Sequence, residues 1–69
     1  MTFTATYRKI PAGYLGQIVE WPQVISEGKN LEDCRESLKD ALREMIAAYR
    51  DEGQEVPGHV LYESLDVPA

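Results

Sequence analysis

The stretch Val24–Gly53, VISEGKNLEDCRESLKDALREMIAAYRDEG, decides the fold: a short apolar run breaks at Gly28 and becomes one long amphipathic helix. Asn30 can accept a hydrogen bond from the free N–H groups of a first helical turn, and Asp33 follows at the capping-box position, so the start is predicted near Leu31. Glu32 and Asp33 place negative charge at the positive end of the helix dipole, and Arg50 lies near the other end. Gly53 can take the left-handed cap conformation, which predicts a stop near Glu52. Between these limits Leu31, Cys34, Leu38, Ala41, Leu42, Met45 and Tyr49 recur at spacings of three and four, forming one apolar stripe. At 1.5 Å per residue such a helix is roughly 30 Å long, enough to cross a small sheet.

The flanking sequence supplies the sheet. Thr2–Lys9 alternates, with Phe3, Ala5 and Tyr7 on one side and Thr2, Thr4, Thr6 and Arg8 on the other, the pattern of a half-buried strand. Ile10–Gly13 reads as a turn. Tyr14–Trp21 is apolar on both faces and stops at Pro22; Gln23–Glu27 is a short third strand. After the helix, the Pro57-Gly58 turn leads into a two-sided fourth strand at His59–Val67. The expected fold is therefore α+β, β-β-β-α-β, with a single mixed four-stranded sheet in the order 3-2-1-4. One long helix packs on one face and strand four lies parallel to strand one. Domains of this size bury only about 60% of their unfolded surface. Apolar residues on the uncovered face of strands two and four then call for company, and a homodimer or tetramer is expected.

Composition narrows the class. No apolar run approaches about 18 residues, so no membrane span is expected, and MTFTATYRKI lacks the pattern of a signal peptide; a cytoplasmic location is expected. Cys34 is the only cysteine, excluding a disulfide within the chain, and its place on the stripe points to a buried thiol. A net charge of −5 disfavours direct nucleic-acid binding, which needs a basic footprint to displace counterions from phosphates. Arg35, Lys39 and Arg43 share one line along the helix, beside an acidic line of Glu32, Glu36, Asp40 and Glu44. The pairs Glu36–Lys39 and Asp40–Arg43 read as surface ion pairs. The line itself reads either as a solvated face or as a docking strip for a basic protein.

Catalytic motifs are sparse. His59, the only histidine, starts a strand after a turn, and one His with one Cys cannot complete a zinc site. Ser26, Ser37 and Ser64 have no second histidine to activate them. Gly13-Tyr14-Leu15-Gly16 lacks the length and following helix of a phosphate-binding loop. A two-carboxylate nuclease would draw on Glu20, Glu27, Glu63 and Asp66, but no spacing rule brings these together. No catalytic, cofactor or metal site is expected, and the chain is read as a non-enzyme.

The segments YRKIPAGYLGQIVEWP and VISEGKNLEDCRESLKDALREMIAAYRDEGQEVP together resemble the HicB-like antitoxin domain. The matching places are Gly13-Tyr14 in the hairpin, Trp21-Pro22 after strand two, Gly28 to Cys34 at the helix start and Val56-Pro57. Asn30 stands where that family has a Thr cap, and Gln23-Val24 where Pro-Gly is common. The resemblance implies a partial ribonuclease-H-type fold without a working active site. It further implies a protein that neutralises a small basic HicA-like ribonuclease toxin by covering it. It covers nearly the whole chain, read as one HicB-like domain over residues 1–69 without the C-terminal DNA-binding segment of longer relatives.

Three readings compete: the antitoxin-type binding module; a stand-alone structural or regulatory oligomer with no toxin partner; and a vestigial metal-dependent nuclease resting on Glu20 or Asp66. For the first, the candidate partner contacts are Glu20, Trp21, Glu32, Glu36, Asp40 and Glu44. Trp21 reads equally well as an exposed anchor or as core, because its strand is apolar on both faces.

Overall fold

In the computed structural model, which describes residues 1–58 and 61–68, the elements run β1 (Ala5–Ile10), β2 (Gly13–Ile18), β3 (Ile25–Gly28) and α1 (Leu31–Asp51). The sheet has three strands in the order β1-β2-β3, antiparallel throughout. The register pairs Ala5 with Ile18 and Ile10 with Gly13 across the first hairpin, and Tyr14 with Gly28 across the second. Gly13 closes the first turn at φ 142°, where a side chain would be strained and a Cβ would meet the Gly28 carbonyl oxygen.

The helix termini follow from their cap chemistry. The Asp33 N–H donates to Asn30 Oδ1 at 2.8 Å, and Asn30 is extended at φ −140°, ψ 175°. At the other end Gly53 adopts φ 73°, its N–H donates to the Arg50 carbonyl at 3.1 Å and the Gln54 N–H to that of Tyr49 at 2.8 Å. This double bond pattern is a Schellman cap, which satisfies carbonyls the helix would otherwise leave free. Cys34 and Leu38 of the predicted stripe are fully buried, and Ala41, Leu42, Met45 and Tyr49 pack against the core. Leu31 is 37% exposed, and Ile46 joins the packed set in its place.

Two expectations about the sheet are corrected. The four-stranded sheet in the order 3-2-1-4 does not form: residues 61–68 carry no strand, and Leu61, Tyr62, Leu65 and Val67 are exposed. His59 and Val60 of the expected fourth strand lie outside the described residues. Alternation states which side chains a segment could bury once paired, but a strand exists only where a free sheet edge meets its backbone. After the helix Val56 tucks against the core, and residues 61–68 are all exposed. The radius of gyration, 14.1 Å, exceeds the roughly 11 Å of a compact chain of this length.

The second correction concerns strand two, which ends at Ile18 rather than at Trp21. The Trp21 N–H donates to the Ile18 carbonyl and the Val24 N–H to the Trp21 carbonyl at 2.9 Å, so the chain turns twice before β3. This double turn swings Trp21 and Val24 inward, where they join Ile18 and Leu38 in the core at 2–3% exposure. With β2 shortened, the sheet face away from the helix is mostly polar: Thr6 and Arg8, Leu15 and Gln17, Ile25 and Glu27 stand in cross-strand rows. The apolar bare face expected on strand two is thus confined to Leu15 and Ile25, with Ile25 47% exposed.

The helix lies over β3 and β2. Its first turn passes so close to β3 that a Cβ on Gly28 would fall against the Cys34 backbone nitrogen, 2.6 Å from Cys34 Cα. Over β2, a Cβ on Gly16 would stand 3.1 Å from both Cys34 Sγ and Leu38 Cδ2. Glycines at these two positions therefore set the helix-to-sheet distance.

Candidate functional site

The acidic residues singled out from the sequence fall into two places. Glu32, Glu36, Asp40 and Glu44 are all exposed on α1, and their four-residue spacing spreads them over about 18 Å of helix. Asp40 accepts from the Arg43 guanidinium at 2.8 Å, and Lys39 Nζ lies 3.6 Å from Glu36. Each of these side chains keeps more than half of its surface in water, so the pairs contribute little to stability and give way easily to another partner. Glu32 and Glu44 form no ion pair among the described residues.

Glu20 stands elsewhere, past the end of β2. Its carboxylate accepts the Thr4 backbone N–H at 2.7 Å, while the Val19 N–H donates to the Thr4 carbonyl at 2.8 Å. These bonds extend the β1–β2 pairing beyond the last ladder residue, Ala5 with Ile18. Desolvation alone would lift the Glu20 carboxyl. The hydrogen bonds from the Thr4 backbone and side chain, its own backbone and the Tyr62 hydroxyl outweigh that effect and hold it down at about 2. Desolvation first, then the hydrogen bond and charge of Glu20, push the Tyr62 hydroxyl up from its ordinary value. Glu20 is thereby a structural acceptor that anchors the segment leading into β1. The sequence held no signal for this, because Thr4, Glu20 and Tyr62 follow no shared spacing.

Trp21 is core. It is 2% exposed and packs edge-on against Tyr49, with ring centroids 4.7 Å apart and planes at 71°. The structure thus separates the six candidate contacts, leaving four helix acids on an open face, Glu20 engaged locally and Trp21 buried. Cys34 is also fully enclosed, its Sγ 3.8 Å from the Ser26 carbonyl. Burial, and secondarily the charge of Glu27, push its thiol up, which keeps it protonated and unreactive.

The nuclease carboxylates do not assemble. Glu20 is bound to Thr4, Glu27 sits on the outer face of β3, and Glu63 and Asp66 are exposed in the C-terminal segment. Among the described residues no three His, Cys, Asp or Glu side chains are placed to hold a metal ion. Among the same residues no helix is long and apolar enough to cross a membrane.

A feature the sequence reading missed lies beside β1. Phe3, Ala5 and Tyr7 form the inner side of an open groove of about 260 Å³, with Leu38 and Leu42 of α1 opposite and Arg35 and Lys39 at its rim. The Arg35 guanidinium stands over the Tyr7 ring, 5.9 Å from its centroid. The alternation of Phe3, Ala5 and Tyr7 marks this inner face in the sequence, while the gap beside it depends on the helix lying chiefly over β3 and β2.

No curated protein and no solved structure gives a significant match to the chain. A family model does: residues 3–57, from the segment before β1 through the helix cap to Pro57, match the one described as UPF0150-like. The hairpin glycine, the glycine under the helix, the cap and the helix all fall inside the matched span, and the chain belongs to the UPF0150-like family, a family of the HicB-like, antitoxin type.

Proposed function

We propose that this protein is an antitoxin-type binding module that neutralises a small, basic, HicA-like ribonuclease by stoichiometric masking, without catalysis of its own. The observation that carries the reading is the family match across residues 3–57. Two physical features support it. The net charge of −5 favours encounter with a cationic partner. The α1 acids offer a rigid row of solvated carboxylates whose only intramolecular pairings among the described residues are weak. In this reading Glu32, Glu36, Asp40 and Glu44 steer and contact the partner, Trp21 holds the helix in place from beneath, and the protein works in the cytoplasm.

Affinity purification from the native cell, followed by mass identification, should recover a small basic protein whose ribonuclease activity falls to zero at one equivalent of this chain. Recovery of no basic protein, together with no such reading frame beside the gene, would reject the toxin partner. The helix row is tested separately. Glu36→Lys combined with Asp40→Lys should slow association at least tenfold at low salt, with the difference shrinking as salt rises, while the circular dichroism spectrum is unchanged. An on-rate equal to the parent's would move the contact off the helix.

A further inference from the structure

We infer that the C-terminal segment beyond Tyr62 is an exchange arm, and that residues Glu63–Val67 of one copy add to the free edge of β1 and fill the adjoining groove in a second copy. The inference concerns the chain's association with itself and does not rest on the toxin reading.

Three observations converge on it. First, β1 is an edge strand whose outer side has no partner strand among the described residues, so it presents a row of backbone donors and acceptors at hydrogen-bond spacing. On its inner face Phe3, Ala5 and Tyr7 pack against the core on one side and line the groove on the other. Second, the C-terminal segment carries apolar side chains that have no cover. Leu65 is 75% exposed and Val67 is 80% exposed, and as i and i+2 neighbours they project from the same side of an extended chain. Tyr62, 56% exposed with its hydroxyl near the Glu20 carboxylate, is taken as the hinge of the arm. Five residues beyond that hinge reach roughly 16 Å, enough to lie along the stretch from Phe3 to Tyr7.

Third, the charges select the occupant. Residues 1–10 include Arg8 and Lys9 and no acid, and the groove rim adds Arg35 and Lys39. Residues 61–68 include Glu63 and Asp66 and no cation. Two β1 edges brought together directly would oppose like charges, whereas an acidic arm laid on a basic edge pairs opposite ones. Within one chain the arm is exposed and the groove stays open, so reciprocal exchange between two copies covers both grooves and both arms at once.

The full chain is the right material for the test. Sedimentation velocity across a concentration series should show a monomer–dimer equilibrium. Leu65→Asp with Val67→Asp should weaken it at least tenfold without changing the circular dichroism spectrum, because neither side chain supports the monomer. Charge reversal gives an independent arm: Glu63→Lys with Asp66→Lys should weaken the dimer at least fivefold, and adding Arg8→Glu with Lys39→Glu should recover most of the loss. In a mixture of isotopically labelled and unlabelled copies, filtered nuclear Overhauser spectra should connect Leu65 and Val67 methyl groups of one copy to the Tyr7 ring of the other. A chain that stays monomeric throughout, a dimer indifferent to these substitutions, or methyl-to-ring contacts found only within one copy would each overturn the inference. None of these failures bears on toxin binding, which is measured with the partner present.

Discussion

Single residues set the closest tolerances in this protein. Gly28 lies directly beneath the first turn of α1, and any side chain there must push the helix backbone away. Gly28→Ala is expected to lower the unfolding free energy by about 3 kcal/mol, the upper end of overpacking effects, as read by urea denaturation. Gly16→Ala meets only the ends of the Cys34 and Leu38 side chains, which can shift by a few tenths of an ångström, and should cost about 1 kcal/mol. Glu20 acts on a different variable. Its carboxyl is held near 2 in the folded chain against an ordinary value of 4.5, so it favours folding while ionised. Its contribution is fully present above about pH 4.5 and is lost as pH falls through 2, because the unfolded chain takes up the proton first. Glu20→Gln should therefore flatten the fall in stability between these pH values, and carbon-detected titration of Glu20 should report the low midpoint directly.

At the level of elements, α1 owes its limits to caps rather than to length. Asn30 satisfies the Asp33 N–H at 2.8 Å, and replacing it by Ala should cost about 1 kcal/mol in thermal or urea unfolding. By contrast Asp40→Asn breaks the 2.8 Å pair with Arg43 yet should change stability by less than about 0.5 kcal/mol, because both side chains are mostly in water. The contrast matters for function. A helix stabilised at its ends and along its buried stripe can leave its outer row of acids free to engage a partner without loss of fold. The β2–β3 connection follows a similar logic: two overlapping turns bring Trp21 over Tyr49, joining the connection to the last turns of α1. Trp21→Ala should cost about 3–5 kcal/mol and expose Tyr49, a loss visible in near-ultraviolet circular dichroism.

For the molecule as a whole, the division between a packed body and an exposed C-terminal segment is the main feature. None of residues 61–68 is buried, so a chain ending at residue 60 should unfold within about 0.5 kcal/mol of the parent when both are too dilute to associate. Its radius of gyration by small-angle X-ray scattering should fall from 14.1 Å toward the value of a compact chain. The body is small, with five core residues at 3% exposure or less among the described residues, and its helix lies chiefly over β3 and β2. That geometry, more than the composition of the outer sheet face, leaves apolar surface open along β1.

Much of this was legible without coordinates wherever a local interaction decides. Asn30, Asp33 and Gly53 mark the helix ends because capping bonds span three to five residues, and Phe3, Ala5 and Tyr7 share a face because a strand repeats every two. The first three strands and their meander follow from short connections. The tertiary structure alone decided what depends on groups far apart in the chain. Trp21 turns inward because Tyr49, twenty-eight positions later, comes to stand against it. Glu20 becomes an anchor because Thr4 and Tyr62 arrive from opposite ends of the chain. Residues 61–68 carry a strand's alternation without a strand's pairing, because alternation fixes only which side chains share a face, whereas the path of the backbone relative to an edge is a property of the assembled fold.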